Sequence, residues 1–322
     1  MPMLRIGLGI GISVLFALLL VRNVDLRQAA HDLLSLGPAT IAACVALVLA
    51  GYSARAWRWQ IMLRGAGVDA SYRQVAPIFF AGFALNNVLP LRAGDFYRCV
   101  STARLPDGTI AKSLAALVTE RMLDLAGLIL LLCVLVLLIP EADLAALSVP
   151  ISIVLIAGLV LILLVILSPV ATWRRLETWL GGWMARSRFT AKAARWFRSL
   201  ASAAEGTLSG GSRWPAIGLT GLAWLLELGV FIVIGSHLSG DLVLAGGLYA
   251  GTVGTLATLI PGAPGHFGTF DFFVSQGFQY GGLSAEAALA AAIASHLIIL
   301  APVTLLGSFR LIADRQAGLN AS

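Results

Sequence analysis

The sequence contains few charged residues: Asp, Glu, Lys and Arg make up 12% of its 322 residues, against 59% hydrophobic residues. A soluble domain has roughly 25% charged residues. The hydrophobic residues form continuous runs of about 18–25 residues, long enough to cross the roughly 30 Å hydrocarbon core of a bilayer as helices. These runs exclude a soluble enzyme fold, and their lack of apolar–polar alternation argues against a transmembrane β-barrel.

Cysteine is also scarce, with only Cys44, Cys99 and Cys133 in the chain. Three cysteines cannot form a disulfide framework, and the sequence has no CxxC or HxxxH spacing for a metal ion. The phosphate-binding pattern GxxxxGK[ST] and the DxD pattern are absent as well. We therefore expect no metal, no other cofactor and no ATP-binding site.

Lysine is almost missing, since the cations are 20 Arg and only 2 Lys. Together with 16 acidic residues they give a net charge of +6. In a soluble protein this excess would suggest nucleic acid as a partner. Here the cations lie in short loops between apolar runs, where they orient helices and contact anionic lipid headgroups. We expect a membrane lipid as the partner and no nucleic acid. The preference for Arg over Lys indicates a GC-rich bacterial genome and hence a bacterial inner membrane.

The distribution of cations predicts the topology. Residues 214–309 contain neither Lys nor Arg, whereas the polar segment 173–213 is rich in Arg and is expected to be a cytoplasmic amphipathic segment. Both termini are then cytoplasmic. The first apolar run follows Arg5 but lacks a good cleavage site, so we interpret it as a retained helix and not as a signal peptide.

The apolar runs predict an all-α, polytopic membrane protein with a single membrane domain, 1–322. Six full spans are expected at 6–21, 38–56, 113–139, 150–169, 214–236 and 286–308. Two further apolar regions, 75–91 and 242–279, are interrupted by Pro, Gly and polar residues, which predicts re-entrant broken helices. The halves 38–139 and 214–308 would form an inverted repeat. Three full crossings separate the broken regions, so these would enter from opposite faces.

Both broken regions contain the spaced motif Pro-x-x-x-Gly-x-Phe, at 90–96 and at 261–267. Pro and Gly free backbone groups that hydrocarbon cannot satisfy, so such a break must be buried in protein or line a wet cavity. Transporters build midplane sites from such discontinuous helices, whose N-termini attract anions. The candidate substrate-binding residues around the motifs are Asn87, Arg92, Asp95 and Arg98 in the first region and Pro261, Pro264, Gly265, His266 and Asp271 in the second.

Other readings of these residues stay open. The arginines suit bidentate phosphate binding, but they are also ordinary cytoplasmic anchors. The asparagines and aspartates could instead satisfy the backbone or cap helices. Glu120 and Asp124 share one helix face, and together with Arg121 they could line the cavity or form a structural ion network. Glu227 is isolated in mid-span and is a candidate proton relay, whereas His296 is favoured as a satisfied core histidine.

Three blocks of the sequence resemble those of one family. The blocks Asn-Asn-x-Leu-Pro-x-Arg-x-Gly-Asp-x-x-Arg, Glu-Arg-x-x-Asp and Ile-Pro-Gly-Ala-Pro-Gly-x-x-Gly-x-x-Asp are similar to those of the flippase-like family, the lysylphosphatidylglycerol synthase transmembrane-domain proteins. The chain departs from the family in having Asp95 and Asp271 where Glu is usual, and His266 where a small residue is common. The aminoacyl-transferase domain of the bifunctional members is not expected here, so this is interpreted as a stand-alone member.

The resemblance implies that the protein moves lipid between leaflets and is not an enzyme. We expect a flippase or scramblase for an anionic phospholipid or a polyprenyl-linked lipid, with transport either downhill or coupled to protons. Two alternatives stay open: a membrane-embedded transferase acting on a lipid-linked sugar, and a non-transporting partner in envelope lipid assembly. The sequence does not predict the oligomeric state.

Overall fold

A computed structural model describes residues 2–22, 24–89, 92–138, 158, 206–208, 210–260 and 262–319. Over these residues the chain is all-α, as expected, with ten α-helices, two 3₁₀ turns and no strand. The helices are α1 (Pro2–Val21), α2 (Leu26–Ser35), α3 (Pro38–Gly65), α4 (Tyr72–Val88), α5 (Ala93–Thr102), α6 (Ile110–Leu138), α7 (Arg213–Ser239), α8 (Leu244–Ala257), α9 (Thr269–Tyr280) and α10 (Ala285–Leu319). The 3₁₀ turns are Gly210–Ser212 and Pro264–His266.

Among the described residues, three helices are long and apolar enough to cross a membrane: Pro38–Gly65, Arg213–Ser239 and Ala285–Ala313. They coincide with the spans expected at 38–56, 214–236 and 286–308. Helices α1 and α2 meet at a bend of 91° and together qualify as a fourth candidate. The expected span 150–169 and most of the amphipathic segment 173–213 lie outside the residues that the structure describes.

Helices α3–α6 and α7–α10 follow the same order, and we call them the first half and the second half. Each half begins with a long helix of 28 or 27 residues and continues with a shorter one of 17 or 14 residues. After a break, each half ends with a short helix of 10 or 12 residues and a long one of 29 or 35 residues. The first break is residues 89–92, and the second break is residues 258–268.

The packing of the two halves follows the same pattern. In each half, the first helix contacts the second and the fourth, and the third helix contacts the second and the fourth. Between the halves, α3 contacts α7 directly. Two further contacts between the halves correspond as well. Helix α3 contacts α10 in the same way that α7 contacts α6, and helix α4 contacts α10 in the same way that α8 contacts α6. The contact pattern is therefore preserved when the halves are exchanged.

Glycine allows the short helices to pack closely in both halves. A Cβ atom on Gly94 would collide with the carbonyl oxygen of Gly82, so α4 and α5 meet backbone to backbone. In the second half, a Cβ on Gly277 would collide with the backbone of Ala250, which brings α8 and α9 equally close. Small residues at helix crossings are typical of membrane proteins, where close van der Waals contact holds helices together.

Candidate functional site

The first break is held by an asparagine and an aspartate. Arg92 adopts the left-handed conformation, with φ 53° and ψ 42°, and α5 begins immediately after it. Asn86 Nδ2 donates to Asp95 Oδ1 at 3.0 Å, and the backbone N–H of Asp95 donates to Asn86 Oδ1 at 3.2 Å. This reciprocal pair ties the end of α4 to the first turn of α5. Asn87 instead donates from Nδ2 to Thr304 Oγ1 on α10 at 2.8 Å.

Arg98, which we expected to reach a lipid headgroup, is fully buried in this structure. Its guanidinium donates to both carboxylate oxygens of Glu120, at 3.1 and 2.6 Å, and both side chains have 0% exposure. The guanidinium carbon also lies 3.9 Å from the ring centroid of Trp59 and 4.3 Å from that of Phe79. A bidentate, stacked and desolvated pair favours the structural reading of Arg98 and Glu120.

Arg121 and Asp124 are paired with residues of other helices. Arg121 Nη2 lies 2.8 Å from Asp95 Oδ2, which links α6 to α5. Arg58 Nη1 lies 2.7 Å from Asp124 Oδ1 and donates to Thr220 Oγ1 at 2.8 Å, which links α3 to α6 and α7. These contacts account for two carboxylates that would otherwise be costly within the membrane.

Glu227 is paired across helices. Its carboxylate accepts a hydrogen bond from the Arg55 guanidinium on α3. The cation that α7 lacks near Glu227 is therefore supplied by α3. The ion pairs form two groups, the pair Arg55–Glu227 and a connected set of Arg58, Asp95, Arg98, Glu120, Arg121 and Asp124, and we call the two groups together the ion network. Four arginines face four carboxylates, so the network is neutral overall, as charges at this depth require.

A groove of about 420 Å³ opens beside the ion network, between α5 and α6. It is lined by Arg92, Asp95, Leu117, Val118, Arg121, Met122 and Leu125. Arg92 and Arg121 therefore line the groove together with four apolar side chains of α6. Arg92 is exposed and makes no ion pair with any residue that the structure describes, whereas Arg121 is 36% exposed despite its pair with Asp95.

The second break contains three residues with positive φ. Gly265, His266 and Gly268 all have positive φ, at 73°, 59° and 84°. Gly268 donates its backbone N–H to Asp271 Oδ2 at 2.8 Å, so this aspartate caps α9 as the capping alternative predicted. Pro264 begins the 3₁₀ turn, and Pro261 lies outside the described residues.

His296 completes the second break, although the sequence favoured only a core role for it. Its Nδ1 lies 2.7 Å from Asp271 Oδ1, and its Nε2 lies 2.8 Å from the carbonyl oxygen of Gly265. The imidazole stacks on the Phe267 ring with a centroid distance of 4.4 Å. The ring is buried and both of its nitrogens are bonded, but one partner is a site aspartate.

Helix α1 covers the second break from another side. The backbone N–H of Ala263 donates to Ser13 Oγ at 2.8 Å. The ring of Phe16 packs on those of Phe272 and Phe273, with centroids 5.1 and 5.4 Å apart. Because irregular backbone must be covered within a membrane, α1 acts as part of the wall of this break.

The two breaks are neighbours in the folded chain. Helix α4 contacts the 3₁₀ turn of the second break, and the hydrogen bond from Asn87 to Thr304 joins α4 to α10. Arg92 lies within electrostatic reach of His266, and His266 lies within reach of His296. Over the residues described, no group of three or more His, Cys, Asp or Glu side chains is placed to hold a metal ion.

Sequence reasoning missed three residues of the site. The sequence patterns did not single out Arg55 or Arg58, and they indicated only a core role for His296. The signal for the two arginines was the presence of acids in apolar segments, at Asp124 and Glu227, because such acids require cationic partners from other helices.

A helical bundle with paired broken helices and a neutral, partly buried ion network defines a class of integral membrane protein. A sequence family described as the lysylphosphatidylglycerol synthase TM region matches residues 6–307. The chain belongs to this family, as the three sequence blocks indicated. Comparison with curated proteins and with solved structures gave no match.

Proposed function

We propose that the protein translocates an anionic lipid, either a phospholipid or a polyprenyl-linked lipid, across the inner membrane without changing it chemically. Membership of a membrane-domain family linked to lipid handling supports this proposal. The observation that carries it is the groove between α5 and α6. Arg92 and Arg121 line this groove and can bind a phosphate there, while the apolar side chains of α6 accommodate an acyl or prenyl chain.

The charge balance of the site suits a single anionic group. The arginines of the ion network are already paired with carboxylates. Arg92 has no carboxylate partner among the described residues, so an entering phosphate can bind to it. Arg121 can share its guanidinium between Asp95 and the phosphate, because Arg offers five donors. A zwitterionic headgroup brings a cation toward the same arginines and is expected to bind more weakly.

The proposal includes the architecture of six full spans and two re-entrant regions in an inverted repeat, with both termini cytoplasmic. The matching helix order and contact pattern of the two halves support the repeat. A lipid path would then run past both breaks, with the first open to the cytoplasm and the second open to the outside. This arrangement gives alternating access around one central site.

Reconstitution of the purified protein in liposomes tests the function. Labelled phosphatidylglycerol, phosphatidylcholine and a polyprenyl phosphate would be followed between leaflets. We expect wild-type protein to move an anionic lipid and Arg92→Gln to lose most of this activity. Arg73→Gln is the matched control, because Arg73 is an exposed arginine at the start of α4, away from the groove. Failure of the wild type to move any of the three lipids would contradict the proposal.

A further inference from the structure

The hydrogen bonds of His296 require more protons than a neutral imidazole beside an ionised carboxylate can supply. A carbonyl oxygen only accepts hydrogen bonds, so Nε2, 2.8 Å from the Gly265 oxygen, must carry a hydrogen. An ionised carboxylate also only accepts, so a hydrogen must lie between Nδ1 and Asp271 Oδ1, which are 2.7 Å apart. A neutral imidazole has only one N–H, and the pair therefore holds one additional proton.

We propose that Asp271 and His296 form a proton-binding site that holds the second break closed when protonated and releases it when the proton leaves. With the proton bound, the imidazole joins Asp271 on α9 to Gly265 in the turn. When the proton passes to water, one N–H remains to serve two acceptors. One of the two contacts must then break, because lone pairs would face each other across it.

The released contact acts on a turn that is already strained. Gly265 and His266 both have positive φ, and His266 is not a glycine, so its left-handed conformation depends on the surrounding contacts. Asp271 also caps α9 through the Gly268 N–H. The proton therefore decides whether His296 on α10 holds both the turn and the start of α9 or only one of them.

The surroundings of the pair link the proton to an anion. His266, in the same turn, lies within electrostatic reach both of His296 and of Arg92 of the first break. Phe267 and Phe270 cover the imidazole with their rings. The positive charge of Arg92 opposes an additional proton. An anionic headgroup bound to Arg92 would remove this opposition, and by reciprocity the proton would favour the headgroup.

This linkage rests on the proposed function, whereas the proton site itself does not. The proton site assigns the coupling of transport to protons to Asp271 and His296. This role replaces the one considered for Glu227, whose charge is balanced by Arg55. The resulting prediction is co-transport, in which one proton and one anionic lipid bind together and leave together.

Solid-state NMR of the full-length protein in bilayers tests the proposal. Because the sequence has four histidines, labelling with ¹⁵N-histidine and ¹³C-aspartate allows the His296 and Asp271 signals to be assigned by their loss in His296→Gln and Asp271→Asn. Spectra would be recorded at a series of pH values from acid to alkaline. We expect the pair to lose one proton in this range.

Asp271→Asn is the decisive variant. The asparagine oxygen can accept from Gly268, its NH₂ group can donate to His296 Nδ1, and His296 Nε2 can still donate to Gly265. All three contacts then form with a neutral imidazole, so the titration should disappear while the turn stays closed. His237→Gln is the control, because His237 is exposed and bonds to Thr40 and to the Ser35 carbonyl, at a separate site.

The outcomes separate the proton site from lipid transport. A pair whose protonation does not change over this range, or an Asp271→Asn protein whose His296 titrates like the wild type, would overturn the proton site whatever lipid is moved. Equal titration midpoints in phosphatidylglycerol and phosphatidylcholine bilayers would overturn the linkage to anionic lipid. A higher midpoint in phosphatidylglycerol would support it.

Discussion

Replacement of Glu120 by glutamine tests whether the ion network is structural. The substitution removes the charge that balances the Arg98 guanidinium, and both side chains have 0% exposure. Removing one partner of a buried ion pair costs roughly 3–5 kcal/mol, since the remaining charge is left desolvated. Asp95 lies 3.7 Å from Arg98 and offsets part of this loss, so we expect destabilisation by about 3 kcal/mol.

The assay is unfolding of the purified protein in detergent, followed by tryptophan fluorescence. Trp59 lies against the Arg98 guanidinium and reports on this region. The double variant Arg98→Met with Glu120→Met should recover much of the lost stability, because a buried pair can be replaced by apolar side chains at little cost. Asp69→Asn, at an exposed position between α3 and α4, is the control. A Glu120→Gln protein as stable as the control would refute the reasoning.

Two further predictions concern the packing at the breaks. Gly94→Ala should destabilise the protein strongly, since the new methyl group collides with the Gly82 carbonyl, whereas Gly218→Ala, whose Cβ meets nothing within 4 Å, should be neutral in the same unfolding assay. Ser13→Ala should cost about 1–3 kcal/mol by leaving the Ala263 N–H without its partner. Hydrogen exchange at 262–268 should rise in this variant and stay unchanged in α4, and unchanged exchange at the break would contradict the role given to α1.

The all-α class could be predicted because it depends on local composition. Continuous apolar runs form helices in hydrocarbon, where each backbone group must be paired within its own segment. The positions of both breaks were also predictable, because a cluster of Pro, Gly and polar residues within an apolar region frees backbone groups and interrupts the helix. The expected spans at 38–56, 214–236 and 286–308 all lie within long apolar helices of the structure.

The partners of the charged residues could not be predicted in the same way. Arg98 and Glu120 are 22 residues apart, and Arg55 and Glu227 are 172 residues apart. Spacing along one helix therefore indicates only that an acid such as Glu227 needs a cation. It does not indicate which helix supplies the cation, because that depends on how α3 packs against α7.

The same distinction applies to the candidate site as a whole. The sequence by itself determined the membrane class, the family, the two breaks and the residues of the motifs, because each of these follows from composition or from short-range order. Tertiary structure alone decided that Arg98 is buried, that Arg92 stays open to a groove and that His296 meets Asp271. These outcomes depend on contacts between helices that are distant in the chain, and a buried charge or proton is stable only where such contacts compensate it.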